Sequence, residues 1–231
     1  MDNYKLRLRF AKTGKAKYIS HLDLMSTMQR VLIRAGVGLK YSQGFNPHPT
    51  ISIALPLSVG CSSVCELIDF KTEHYLLPDG LPQIINDVLP KDIEVLEAYI
   101  PLRKFSAAKW VKVKGELHYN KAHRNIIEDL MNRFSMDNII IEKKTKRGIK
   151  DIDIAPYIKN ICYNINQNET ECNGTNPGKM ITISAMLSAQ DPSINPQNMM
   201  SALSGEYKIL APDFAAFTRV EIYDADLNVF R

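Results

Sequence analysis

Apolar and polar residues alternate strictly over residues 4–10 (YKLRLRF), which predicts a strand with Leu6, Leu8 and Phe10 on one face and Lys5, Arg7 and Arg9 on the other. The period then changes. Leu24, Met25, Met28, Val31, Leu32 and Ala35 recur at helical spacing, behind Ser20 as N-cap and Asp23 as a capping-box acid, and Gly36 ends the run. Arg30 and Arg34 share the opposite face of that helix. Residues 39–43 and 50–57 are expected to be extended, and residues 65–72 to form a strand returning from a turn at 59–63. A short helix over 81–89, with Pro82 in its first turn and Pro90 at its end, precedes a strand over 92–100.

The second half repeats this order. Residues 110–119 alternate, and residues 120–134 form an amphipathic helix burying Ile126, Ile127, Leu130, Met131 and Phe134. Segments 139–144 and 149–154 flank the basic turn 145–148 as a hairpin. A strand over 180–188, a short helix from Asn195-Pro196 to Leu203 and a closing strand over 216–223 complete the half. Residues 156–161 fit a helical turn or a strand equally well. The polar stretch 164–179 has nothing to bury and is expected to be a mobile loop. The fold class is therefore α+β, as two tandem ferredoxin-like (split βαβ) halves with antiparallel sheets, 1–101 and 108–231, divided near 101–107. A single larger α+β domain is the alternative.

Composition adds constraints. At 231 residues, 45% apolar and 23% charged, the chain has the make-up of a globular protein with room for one or two cores. No apolar run approaches the length of a membrane span, and the alternating N-terminus does not fit a signal peptide, so a cytoplasmic protein with no membrane association is expected. Cys61, Cys65, Cys162 and Cys172 are then expected as free thiols. Cys61 and Cys65 form a C-x3-C pair, open to metal ligation or to a pair of thiols flanking a turn, but no further ligand follows at cluster spacing. No metal or cofactor is expected. The N-x-T sequons at Asn168 and Asn173 are read as chance matches.

Charge is unevenly distributed. Residues 1–40 hold nine Lys/Arg and two Asp, a net +7, and the other 191 residues carry −3. Such a concentration is either a polyanion-binding footprint or a solvated face. Lys5, Arg7 and Arg9 would form a stripe spaced by about 7 Å on an open sheet face, near the phosphate repeat of a single strand. The loop SQGFNPHP brackets His48 with two prolines, which hold Asn46 and His48 extended. A stiff loop presenting Gln43, Phe45, Asn46 and His48 suits an unpaired nucleotide, and a rigid packing turn is the alternative. The candidate RNA-binding set is Lys5, Arg7, Arg9, Lys17, Arg30, Arg34, Gln43, Phe45, Asn46 and His48. His21, with Lys17 or Arg30 as cation and Tyr18 as acid, is a weaker candidate for metal-free RNA cleavage, against local packing at a helix start. His21, Asp23 and His48 could also be drawn as metal ligands. Lys143, Lys144, Lys146, Arg147 and Lys150 make a second basic cluster, best read as a solvated hairpin tip.

The strings Ser20-His21-Leu22-Asp23-Leu24-Met25, Tyr41-Ser42-Gln43-Gly44-Phe45-Asn46-Pro47-His48-Pro49 and Ile51-Ser52-Ile53-Ala54-Leu55-Pro56-Leu57 closely resemble the radical SAM-associated DUF2344 family. Lys143-Lys144-Thr145-Lys146 and Asp151-Ile152-Asp153-Ile154-Ala155-Pro156-Tyr157-Ile158 resemble a second signature of it. The resemblance implies the stand-alone form of a domain otherwise fused behind a radical SAM enzyme. No C-x3-C-x2-C motif is present to hold that enzyme's cluster. It therefore implies an accessory that binds RNA or presents substrate to a separately encoded radical SAM protein, in RNA modification or processing, without catalysis by this chain alone. A fold-level analogy to RAMP-type endoribonucleases, which often place a histidine after the first strand, supports His21 as the alternative. A protein-interaction module without nucleic acid is the third reading.

Overall fold

The computed structural model describes residues 4–121, 124–145, 148–165 and 179–231. The chain is mixed α+β, with short helices and antiparallel strand pairs. It divides into two compact units: residues 1–108 with 219–221 and 228–231, and residues 109–218 with 222–227.

In the first unit, strand β1 (Tyr4–Lys12) pairs antiparallel with both β3 (Ser62–Thr72) and β4 (Ile93–Tyr99), and β2 (Ile51–Ile53) lies on the outer side of β3. The predicted inward face of β1 holds, because Leu6, Leu8 and Phe10 are all buried. Helix α1 (His21–Arg34) and helix α2 (Leu81–Asn86) pack on that face, Leu24, Met28, Val31 and Leu32 meeting Ile68 and Phe70 of β3, and Ile85 joining Ile93 and Val95. Ser20 caps α1 as its sequence position implies, accepting from the Asp23 amide at 3.2 Å while its hydroxyl donates to the Asp23 carboxylate at 2.7 Å. Two expected extended stretches are shorter in the structure. Residues 39–43 contribute only isolated bridges at Leu39 and Tyr41. After Ile53 the chain turns away, with Leu55 at φ 45° and Pro56 next.

In the second unit, β5 (Trp110–Tyr119) pairs through its whole length with β9 (Lys179–Ser188), and β8 (Ile158–Ile165) pairs with the other side of β9. The ambiguous segment 156–161 is both things in turn: Ala155–Tyr157 is a 3-10 turn that leads straight into β8. Helix α3 (Ile126–Phe134) is shorter than the amphipathic pattern implies, since Arg124 and Asn125 are in a turn. Strands β6 (Ile140–Thr145) and β7 (Gly148–Asp153) form the expected hairpin as a separate two-stranded sheet. Helix α4 (Pro196–Ser201) starts with a reciprocal Asn195–Asn198 capping box, and β10 (Phe214–Tyr223) follows. Gly115 sits in β5 where a Cβ would collide with the Phe217 ring and with Ile183, so only glycine leaves room for that ring. Of the expected polar loop, residues 166–178 lie outside the described residues. Asn164 and Ile165 are the last residues of β8 and Lys179 is the first of β9, and not loop.

Candidate recognition surface

Strand β1 offers the first candidate, and the structure corrects it. Arg7 stands directly opposite Asp69 across the β1–β3 ladder, with Nε at 2.6 Å and Nη2 at 3.0 Å from the two carboxylate oxygens. Its guanidinium also donates to the Arg103 carbonyl at 2.9 Å and lies 4.4 Å from the Phe105 ring centroid and 5.2 Å from that of Phe230. The side chain is 0% exposed. The sheet face expected to be open is thus covered, within the first unit, by the segment around residues 103–105 and by the C-terminal Phe230. Lys5 is paired to the same Asp69 at 2.5 Å. Arg9 lies 3.5 Å from Glu97 and 3.3 Å from Glu221, and Arg231 reaches both of those acids. The stripe is therefore neutralised by carboxylates that are distant in sequence, and the +7 of the first 40 residues overstates the free positive charge.

A second ionic cluster was not signalled by any motif. Lys12, 1% exposed, donates to the Ile19 carbonyl at 3.0 Å. Arg219 pairs with buried Glu66 at 2.8 Å and reaches the Leu55 carbonyl at 2.8 Å. Burial lowers the Lys12 pKa and raises that of the nearby Cys61 thiol, while Cys65, more deeply buried, is pushed up to about 12. Such thiols are poor thiolate donors, and among the described residues no group of three or more His, Cys, Asp or Glu side chains converges as a metal site. Cys172 and the two sequons lie outside the described residues.

The loop is built differently. Its base is closed by the Tyr41–Pro49 bridge and by the Thr50 amide donating to the Lys40 carbonyl at 2.8 Å. Across it, the Ser42 amide donates to the His48 carbonyl at 2.8 Å, the His48 amide donates to Ser42 Oγ at 3.1 Å, and Ser42 Oγ lies 3.0 Å from His48 Nδ1. Gly44, at φ 131°, supplies a conformation that other residues resist. The outcome is a pinned hairpin whose tip carries Gln43, Asn46 and a fully exposed Phe45. His48 thus serves first as a clamp, with Nδ1 engaged and the ring exposed.

The remaining candidates fall at two ends of the first unit. Lys17, Tyr18 and His21 gather near the start of β3, where the Gly60 amide donates to the Lys17 carbonyl at 2.9 Å and Lys17 Nζ lies 5.2 Å from the Tyr18 ring centroid. The hairpin 41–49 projects past the far end of β3, some ten residues and about 30 Å away. His21, Asp23 and His48 accordingly cannot ligate one ion. Arg30 lies nine residues beyond His21, about 14 Å along the α1 axis and half a turn round, so Lys17 is the only one of the two proposed cations near His21. Arg30 and Arg34 are exposed and form no ion pair among the described residues. In the other basic cluster, Lys143 donates to the Ser193 carbonyl at 2.6 Å, Lys150 is exposed on β7, and Lys146, Arg147 and the Lys144 side chain lie outside what is described.

The family model for DUF2344, an uncharacterized protein conserved in bacteria, matches residues 5–196 and so spans both units. The chain belongs to the DUF2344 family. No curated protein matches it. A solved structure of the CRISPR endoribonuclease Cse3 bound to 19-nt RNA is similar over 92% of this chain and 99% of that one, at 11% identity and a TM-score of 0.19, a likeness that carries no argument. No helix among the described residues is long and apolar enough to cross a membrane.

The pairing of Arg7 makes it a structural residue. Arg7→Ala leaves Asp69 buried with only Lys5 as a cationic partner, and we expect a loss of about 3–5 kcal/mol in urea denaturation. An Arg7 variant of unchanged stability would contradict this assignment.

Proposed function

We propose that this DUF2344 protein is an RNA-binding or substrate-presenting accessory of a separately encoded radical SAM enzyme, acting in RNA modification or processing, and that it contacts RNA through the 41–49 hairpin. The observation that carries this reading is Phe45, held fully exposed at the tip of a hairpin pinned by Ser42 and His48. Exposing a phenylalanine completely forgoes the free energy of its burial, and pinning its loop keeps the ring presented. A ring held this way stacks on an unpaired base with little further ordering, and Gln43 and Asn46 flank it with amide donors and acceptors.

Charge supports an anionic partner such as RNA over an apolar partner pocket. No Asp or Glu occurs from Leu24 to Cys65, a segment that includes Arg30, Arg34, Lys40 and the hairpin. Arg30 and Arg34 are exposed cations with no competing carboxylate in that stretch, the combination of charge and aromatic that backbone-plus-stacking recognition uses. The radical SAM partnership rests on the resemblance of the SQGFNPHP and neighbouring strings. For the architecture, we read both units as ferredoxin-like halves. The strand order β4-β1-β3-β2 in the first unit, antiparallel throughout, and β10-β5-β9-β8 in the second, antiparallel from β5 to β8, support it, with β6–β7 as an added hairpin.

A second reading, a metal-independent endoribonuclease, is favoured by one feature: Lys17, Tyr18 and His21 share one end of the first unit, and the His21 side chain makes no hydrogen bond among the described residues.

For the leading reading, Phe45→Ala is expected to weaken binding of single-stranded RNA by about ten-fold, the usual worth of one base stack, with an unchanged melting temperature. Arg30→Ala/Arg34→Ala should reduce the salt dependence by about one to two counterions. RNA binding that neither variant alters would overturn the assignment of the hairpin. For the second reading, purified protein incubated with pooled cellular RNA in EDTA should cleave it, and His21→Ala should abolish that cleavage; intact RNA, or cleavage that survives the substitution, rejects it.

A further inference from the structure

The second unit contains a cleft of about 440 Å³, open to solvent, between the end of α3, the start of β6 and the 3-10 turn Gly205–Leu210. Arg133 forms its inner wall. This arginine lies on the buried side of α3, beside Leu130, and is 6% exposed. Its Nε donates to the Ala202 carbonyl at 3.0 Å, its Nη1 points at the Met136 sulfur at 3.2 Å, and its guanidinium lies 3.9 Å from the Tyr207 ring centroid. No described carboxylate pairs with it, and Nη2 has no hydrogen-bond partner among the described residues.

This is an unusual way to bury a cation. One carbonyl and one aromatic face offset part of the desolvation, but a thioether is a weak acceptor and no counter-charge is supplied. Arg7 and Arg219 show how the same chain treats its other buried guanidinium groups, each on a carboxylate at under 3 Å. Capping of the α4 end explains Nε alone. The free edge of Arg133 faces a cleft whose other walls are an apolar pair, Met136 and Ile140, and the polar Asn138 and Ser204, with Glu206 also lining it. An anion on Arg133 completes its pairing. The apolar walls suit the flat body attached to that anion, Asn138 can read a base edge, and Glu206 can accept from a sugar hydroxyl or an exocyclic amine while disfavouring a second negative charge. The volume fits one nucleotide.

We propose that this cleft is a binding site for a nucleoside monophosphate unit, with its phosphate on Arg133 and its base against Met136 and Ile140. The site is independent of the 41–49 hairpin. The monophosphate is either a free nucleotide or one residue of an RNA strand, and both present the same chemistry to the cleft.

The test is calorimetric titration of the full chain with AMP, GMP, CMP and UMP, with the matching nucleosides and inorganic phosphate as controls, and with the Met136 methyl followed by NMR. The monophosphates are expected to bind and to shift the Met136 methyl, and nucleosides to bind at least about ten-fold more weakly for want of the charge-assisted bonds to Arg133. Arg133→Gln should lower monophosphate affinity by about ten-fold or more, and Glu206→Gln, a substitution at an exposed position, should raise it by a few-fold. If Arg133→Gln does not fold, the wild-type methyl shift together with the Glu206→Gln gain decides. Competition by a short oligonucleotide identifies RNA as the source, and lack of competition identifies a free nucleotide. Saturation by inorganic phosphate alone, no binding of any monophosphate at millimolar concentration, or binding indifferent to both substitutions overturns the proposal. Phe45→Ala leaves this binding unchanged, so its failure and that of the hairpin reading are separable.

Discussion

The buried pair between Arg7 and Asp69 is the constraint on which the first unit depends. It sits at the centre of the sheet, on the two strands that hold the unit together, and joins residues 62 positions apart. A one-residue slip of β1 against β3 would send Leu6, Leu8 and Phe10 to the wrong face and bring Arg7 opposite a hydrophobic neighbour. The pair thus penalises every register but the native one. The Arg103 carbonyl and the rings of Phe105 and Phe230 also pack around the guanidinium, whose Nη1 is buried without a hydrogen-bond partner, so the segment after β4 and the chain end are tied to the same point.

That pairing decides where recognition can occur. A strand that alternates Leu with Lys and Arg has the form of a basic stripe, yet its cations are consumed by Asp69, Glu97 and Glu221. What is left for a polyanion is the outer surface of α1, with Arg30 and Arg34, and the loops at its two ends. The helix places the His21 cluster and the hairpin on opposite ends of the unit. Recognition by Phe45 and chemistry at His21 are therefore separate possibilities and do not combine into one site.

The inward residues of β1 and α1, the Ser20 cap, the closing strands and the 139–154 hairpin were all legible because they depend on local period and local capping. The fate of Arg7 was not, since its partner is identified only by strand register, which no local pattern encodes. Arg133 escaped for a related reason: at helical spacing it falls on the apolar side of α3, where a sequence reading treats it as an exception at the helix end. In the loop, the two prolines pointed to rigidity, but the Ser42–His48 clamp required their six-residue separation to close in space. The sequence marked Phe45, Asn46 and His48 alike as presented groups; the geometry gives His48 a second part as a fastening and leaves Phe45 fully exposed.

Photo-crosslinking of the full chain to single-stranded RNA, followed by mass spectrometric mapping of the adducts, would locate the surface that meets RNA. Nucleotide adducts are expected on the peptide containing Tyr41, Phe45 and His48, and none on the peptide of strand β1. Adducts concentrated on β1, with the hairpin peptide unmodified, would contradict it.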